Sequence, residues 1–175
     1  MKRLSRGGRY YRVVNPNWAD PLDPSYSKRY GGRWTPPGEF GALYLCATVD
    51  VAAANARAQH RHRAIQLFDL RPLARPSLVM VNVPENRFLD VVTEAGLAAL
   101  RFPRTYPFGV AYERCWPIAR RAYAQRIAGI ASRSNAEATS TFWIGEELAL
   151  FDYSLPVRRV GKIKSFAQWY PDVIP

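Results

Sequence analysis

The segment Gly31–Trp34 (GGRW) combines residue types that suit the binding of a nucleotide. Two glycines let the backbone approach a ligand closely, and the Arg33 that follows is a permanent cation whose planar fork suits phosphate. Trp34 offers an aromatic face for stacking. The next apolar run, 43–47, predicts a buried strand that carries Tyr44. The pattern predicts a nucleotide pocket; the alternative is a plain turn with a solvent-exposed arginine, because glycine pairs also mark turns.

Length and composition predict one folded domain. The chain has 175 residues, of which 48% are hydrophobic and 13% aromatic, enough for a real core. No apolar run approaches the ~20 residues that span a bilayer. Residues 1–9 are a basic lead-in without an apolar signal segment and are expected to fray, leaving a domain over 10–175. Cys46 and Cys115 lack CxxC spacing and indicate buried thiols in a reducing cytoplasm.

The charge of the chain predicts an anionic partner. The 25 basic and 14 acidic residues give a net charge of +11, which favours a nucleotide, a nucleic acid or an acidic protein. The basic residues are scattered along the chain, whereas nucleic-acid binders more often show a dense basic stripe. A nucleic-acid-binding module therefore stays as an alternative. The histidines His60 and His62 have no third ligand in view, so they are expected to cap a helix end and no metal site is predicted.

The predicted elements mix strands and helices without regular βαβ alternation, which favours an α+β fold over a doubly wound sheet. Thr48 is a good N-cap for an alanine-rich helix that should pack closely against a sheet. Pro117 fits the first turn of the longest helix, which places the regular part at 116–128. Strands are predicted at 10–14, 43–47, 64–70, 77–83, 129–132, 148–152 and 156–163, a short extended piece at 88–92, helices at 48–59, 93–100 and 112–128, and loop at 15–30.

The order of these pieces resembles the RES domain, the toxin half of a bacterial toxin–antitoxin pair. The resemblance covers about residues 10 to 165, and GGRW with the following Tyr-Leu strand is its most specific part. The matching segments are Tyr11-Arg12-Val13, Gly31–Trp34, Leu43-Tyr44-Leu45, Ala52–Asn55, Gly129–Ser134 and Leu148–Phe151.

The resemblance implies a fold similar to ADP-ribosyltransferase toxins and cleavage of NAD at the nicotinamide–ribose bond. The ADP-ribose would pass to phosphate, water or a protein, and an Xre-type antitoxin would hold the activity off. Arg33 would clamp the diphosphate, and Tyr44 would stack on nicotinamide or pack in the core. Arg12, a possible solvent-facing edge residue, would add a phosphate contact, and Trp34 would line the pocket or pack in the core.

Two departures from the family pattern concern the reaction itself. The helix glutamate of the family falls on Asn55, which can bond ribose but carries no charge, or can lie on an exposed helix face. The family's tyrosine falls on Ser132, so the named serine falls on Ser134, or on Ser132 if the register slips. A substitute carboxylate could come from Glu39, Glu113, Glu146 or Glu147, among which the sequence does not choose.

Three functions therefore follow from the sequence. The first is an NAD-consuming toxin with NAD as substrate, no metal, and Arg33, Tyr44 and Asn55 as the catalytic set. The second is a catalytically weakened NAD-pocket protein that acts by binding a cognate antitoxin. The third is the nucleic-acid-binding module. The sequence leaves the acceptor, the antitoxin and the oligomeric state open.

Overall fold

The computed structural model describes residues 1–154 and 157–170. These residues form an α+β domain with a six-stranded mixed sheet and five α-helices. Three short 3-10 turns add to these elements, at Leu67–Asp69, Pro72–Ala74 and Asp152–Ser154. In chain order the main elements are β1 (Arg3–Val14), α1 (Ser25–Tyr30), β2 (Ala42–Cys46), α2 (Val49–His60), β3 (Ser77–Val91), α3 (Glu94–Ala99), α4 (Tyr112–Ala124), β4 (Gly129–Arg133), β5 (Glu146–Phe151), β6 (Arg158–Arg159) and α5 (Phe166–Trp169).

The strand pairings close most of the sheet into a ring. The strand order is β1-β2-β5-β4-β3-β6, and β1 also pairs along β3. The β3–β4 pair is parallel and the other pairs are antiparallel. Apolar side chains from all five strands of the ring meet in one buried cluster that includes Tyr10, Leu43, Val81, Ala131 and Leu148. Closure of the ring sets β1, β2 and β5 side by side, and these three strands form one wall of the site described below.

Helix α2 lies against this wall because its buried face is small. Thr48 caps the helix by accepting a hydrogen bond from the Val51 amide at 3.2 Å, as predicted. Ala52, Ala53 and Ala56 are at most 1% exposed and pack in one cluster with Cys46 of β2. Alanine has a short side chain, so the helix approaches the sheet closely. That approach brings Asn55 within reach of β5.

Several local expectations were wrong. Residues 3–9 do not fray, because β1 begins at Arg3, where it pairs with Leu89 of β3. The expected strand over 64–70 is a 3-10 turn, in which the Asp69 carboxylate accepts the Gln66 amide. The expected loop over 15–30 contains α1.

The C-terminal half also differs from expectation. Helix α4 starts at Tyr112 and ends at Ala124, so Pro117 lies inside the helix and not in its first turn. Of the expected strand over 156–163, only Arg158–Arg159 pairs, and residue 156 lies outside the described residues. The separate extended piece over 88–92 is the end of β3. No helix in the described part of the chain has the length and apolarity to cross a membrane.

Candidate active site

A cavity of about 520 Å³ opens where β1, β2 and β5 meet α2 and the GGRW loop. This volume lies within the usual range for small-molecule sites. The lining combines cations, aromatic rings and a carboxylate. The polar and aromatic side chains that line the cavity include Arg12, Trp18, Tyr26, Arg33, Tyr44, Cys46, Asn55, Gln59, Arg61, His62, Tyr112, Asn135 and Glu147.

The carboxylate comes from Glu147 on β5, the acidic residue among the described lining residues. Asn55 Nδ2 donates a hydrogen bond of 2.7 Å to Glu147 Oε1, and Ser134 Oγ donates to the same oxygen at 2.5 Å. Asn55 Nδ2 also lies 3.1 Å from the Val51 carbonyl, which fixes the amide on its helix. Two neutral donors thus orient Oε1 and leave Oε2 for a ligand. The cavity therefore keeps a carboxylate, from Glu147, although Asn55 stands where the family pattern has a glutamate.

The environment of Glu147 changes its acidity. Burial raises the pKa of Glu147 above its ordinary value of 4.5, while hydrogen bonds from Asn55 and Ser134 and the charge of Arg33 oppose that rise. Burial acts in this direction because removing water penalises the charged form. Carboxylates with a raised pKa inside a cleft are enriched at functional sites.

Arg33 is not a solvent-exposed turn residue. Its side chain is 9% exposed, and Nη1 donates to the Val110 carbonyl at 3.1 Å. The guanidinium lies over the Tyr112 ring at 4.8 Å and the Tyr106 ring at 5.8 Å. Cation–π contacts of this kind hold the planar fork in one orientation. The geometry places a fixed cation on the cavity wall near Tyr44, which lines the same cavity.

Arg12 is a second buried cation. It is 7% exposed, and Nη2 donates to the Asp23 carbonyl at 3.3 Å. Nη1 has no hydrogen-bond partner among the described residues. Burial lowers the pKa of Arg12 to about 10, so the side chain is still charged at neutral pH. A buried donor without a partner is costly, and an anionic ligand would satisfy it.

The Tyr44 hydroxyl holds the GGRW loop in place. It accepts a hydrogen bond from the Trp34 amide at 2.9 Å and lies 3.0 Å from Thr35 Oγ1. Burial raises the pKa of Tyr44, so the phenol stays neutral. A Cβ on Gly32 would lie 2.6 Å from this hydroxyl. The second glycine of the motif is therefore required for the close approach of the loop to β2.

This close approach gives the first testable prediction. We expect Gly32→Ala to cost about 1–3 kcal/mol, the usual range for overpacking, and to lower the Tm by several degrees for a chain of this size. Thermal unfolding followed by circular dichroism measures the loss. Tyr44→Phe removes the clashing hydroxyl, so the double variant should lose less than the sum of the two single variants. Strictly additive losses would contradict the proposed clash.

The remaining residues predicted for the site, Trp34, Ser132 and Ser134, are buried. Trp34 reaches the cavity but is 1% exposed, and its Nε1 donates to Ser132 Oγ at 3.2 Å. Ser132 and Ser134 are 2% and 0% exposed, and neither lines the cavity. Ser132 accepts the Trp34 hydrogen bond in the core and Ser134 orients Glu147, so both serines support the site from behind, and their direct contact with a ligand stays a prediction.

Sequence reasoning missed most of the aromatic rim and did not choose Glu147. His62, expected to cap a helix end, lines the cavity. Glu39 pairs with Arg120 and Glu146 with Arg6, so those two alternatives to Glu147 are engaged elsewhere. The sequence signal that could have pointed to Glu147 is the pair of glutamates directly before the predicted strand at 148–152. Residues 1–154 and 157–170 contain no group of three metal-ligating side chains in binding geometry.

The fold agrees with the comparison to known proteins. The RES domain family profile matches residues 9–168, so the chain belongs to the RES domain family. A comparison with curated protein sequences finds no significant match. Among solved structures, the chain is similar to one described as the crystal structure of the M. tuberculosis MbcT–MbcA toxin–antitoxin complex, with a TM-score of 0.79 and 18% identity. The match covers 95% of this chain and 89% of that chain.

Proposed function

We propose that this protein is the toxin of a toxin–antitoxin pair and cleaves NAD at the bond between nicotinamide and ribose. One observation carries the proposal: a single cavity holds an oriented carboxylate, Glu147, and two buried arginines, Arg12 and Arg33. NAD has the matching charges, since its nicotinamide ring is cationic and its diphosphate is anionic.

The carboxylate supplies the stabilisation that glycosidic cleavage needs. As the bond between ribose and nicotinamide breaks, its electron pair leaves with the nicotinamide nitrogen and positive charge develops on the ribose. Glu147 Oε2 would face that charge, because Asn55 and Ser134 hold Oε1. A preorganised charge of this kind is commonly worth a few kcal/mol in the transition state. An acceptor oxygen from phosphate, water or a protein then bonds the ribose carbon and loses its proton.

The arginines supply the diphosphate clamp. Arg33 is held by the Val110 carbonyl and the Tyr112 ring. Its side chain therefore loses little conformational entropy when a ligand binds. Arg12 offers the unpartnered Nη1. Charge-assisted hydrogen bonds to phosphate are about twice as strong as neutral ones. In this arrangement Tyr44 acts chiefly as the support of the GGRW loop, and Asn55 acts on the reaction through Glu147.

Family membership and the neighbouring complex support an antitoxin partner. The structural neighbour is a toxin–antitoxin complex, and the net charge of +11 favours an acidic protein surface. We propose an Xre-type antitoxin and a cytoplasmic reaction, in keeping with the two free buried thiols, Cys46 and Cys115. Among residues 1–154 and 157–170, no specific structural feature supports the basic nucleic-acid-binding module.

Incubation of the purified protein with NAD tests the proposal. We expect release of free nicotinamide, followed by chromatography. Runs with and without phosphate, and mass spectrometry of the protein, identify the acceptor. Binding of NAD without nicotinamide release would instead support the weakened pocket protein that works through its antitoxin. If NAD neither binds nor is cleaved, the assignment of NAD as the ligand is overturned.

The raised pKa of Glu147 predicts the pH dependence. Its folded-state pKa lies above the ordinary 4.5, so the ionised form needed for catalysis accumulates only above that raised value. Nicotinamide release should therefore rise with pH along an acid limb displaced above the usual carboxyl range. The protonated form is the one that burial favours, so its stabilising contribution is present at low pH and is lost as pH rises through the folded pKa.

The stability of Glu147→Gln relative to wild type provides a second, independent test of the raised pKa of Glu147. The difference in Tm between this variant and wild type should grow in favour of the variant as pH rises through the folded pKa of Glu147. A rate profile that is flat down to the ordinary carboxyl range would contradict the assignment.

A further inference from the structure

An exposed pair of aromatic rings, Trp18 and Tyr26, borders the cavity on the side of Arg12. Both rings line the cavity, yet they are 36% and 56% exposed. Trp34, by contrast, is 1% exposed. Exposed aromatics that continue a pocket mark places where a ligand supplies the missing contacts.

We propose that Trp18 and Tyr26 form the stacking platform for the adenine base of the dinucleotide. The inference rests on the proposed function and extends it, since it assigns residues to the end of NAD that does not react. The two ring centroids are 5.7 Å apart with planes inclined by 37°. This spacing is too short for a base to insert between the rings, so the base stacks on their open side.

The order of groups across the sheet matches the order of groups along NAD. Glu147 lies on β5, Tyr44 on β2 and Arg12 on β1, and β2 is the middle strand of the three. Two strand spacings, about 10 Å in total, separate the outer strands. With nicotinamide ribose at the carboxylate and the diphosphate at Arg12, the adenosine continues toward Trp18.

Arg12 links the two parts of the site. Its guanidinium lies 5.7 Å from the centroid of the Trp18 ring, and its Nη1 has no hydrogen-bond partner among the described residues. Its Nη2 bond to the Asp23 carbonyl ties the Trp18 loop to β1. One arginine therefore contacts both the platform and the predicted place of the diphosphate, and fixes the distance between them.

The platform is already ordered by its own contacts. The Trp18 amide donates to the Asn15 carbonyl at 3.1 Å, in a turn that the Asn15 side chain also supports. Tyr26 lies on α1 and packs against Tyr30 one turn later, with ring centroids 4.7 Å apart. Preorganised rings lose little conformational entropy on binding. Stacking on them is tolerant of base identity, so the platform predicts affinity for the base more than discrimination among bases.

Calorimetric titration with ADP-ribose tests the platform without any reaction. Trp18→Ala should weaken binding about tenfold, within the range for loss of one stacked base. Trp18→Phe, which keeps a ring, should stay close to wild type. Phe142→Ala serves as the matched control, since Phe142 is 55% exposed and does not line the cavity. Circular dichroism verifies that each variant is folded.

The outcomes separate this inference from the proposed function. If nicotinamide is released and Trp18→Ala leaves both the KM for NAD and the affinity for ADP-ribose unchanged, the platform is overturned while the activity stands. If no nicotinamide is released but ADP-ribose binding depends on the Trp18 ring, the platform stands and the activity falls. Equal weakening by Phe142→Ala would also overturn the platform.

Discussion

Replacement of Glu147 by glutamine is expected to lower the rate of nicotinamide release by a hundredfold or more. Removal of one preorganised electrostatic group commonly costs a factor of about 10²–10³ in kcat. The glutamine keeps the shape of the side chain, and its carbonyl oxygen can still accept from Asn55 and Ser134, which now hold Oε1. The measurement is kcat for NAD cleavage by purified protein.

The neighbouring residue provides the control. Glu146 precedes Glu147 on β5 but pairs with Arg6 at 2.8 Å, and it does not line the cavity. Glu146→Gln should therefore keep its activity. The Tm of Glu147→Gln should be no lower than that of wild type at neutral pH, since burial disfavours the charged form. An active Glu147→Gln variant would remove the carboxylate from the mechanism.

Arg33→Ala is expected to abolish toxicity on expression in a bacterial host. Loss of a charge-assisted hydrogen bond to phosphate costs about 1.5–3 kcal/mol, or roughly 10- to 100-fold in affinity. Nicotinamide release should accordingly show a higher KM for NAD. Arg33→Lys keeps the charge but loses the bidentate fork. Its toxicity and its KM for NAD should therefore lie between those of Arg33→Ala and wild type.

An arginine away from the cavity controls for the loss of one positive charge. Arg120 forms an exposed ion pair with Glu39 on the surface of α4, and Arg120→Ala should stay toxic. Thermal unfolding compares the two variants, because Arg33 also supports the Val110 carbonyl. Wild-type toxicity of a folded Arg33→Ala protein would reduce Arg33 to a structural residue.

The elements found from the sequence are those that depend on nearby residues. Thr48 and the alanines of α2 predicted a capped helix that packs closely on a sheet, and both features are observed. The α+β class also followed from element order, and family membership followed from GGRW and the Tyr-Leu strand. By contrast, the expected strand over 64–70 is a 3-10 turn, and the expected frayed end belongs to β1.

Those two errors have different physical causes. The chain near Arg3 has weak strand propensity of its own, and it becomes a strand because Leu89, far along the sequence, supplies a partner. β-structure depends on such cross-strand partners more than on local preference. The 64–70 stretch has suitable residues but adopts a turn stabilised by its own Asp69 carboxylate.

The same distinction governs the site. Residue types alone determined a cationic, aromatic pocket motif around Arg33 and an apparent loss of charge at Asn55. Only the tertiary structure decided which glutamate restores that charge, because β5 pairs with β2 in a register that sets Glu147 opposite Cys46. Close packing of α2 then brings Asn55 to its oxygen. Contacts between residues 92 positions apart arise from sheet closure and helix packing, which local spacing does not encode.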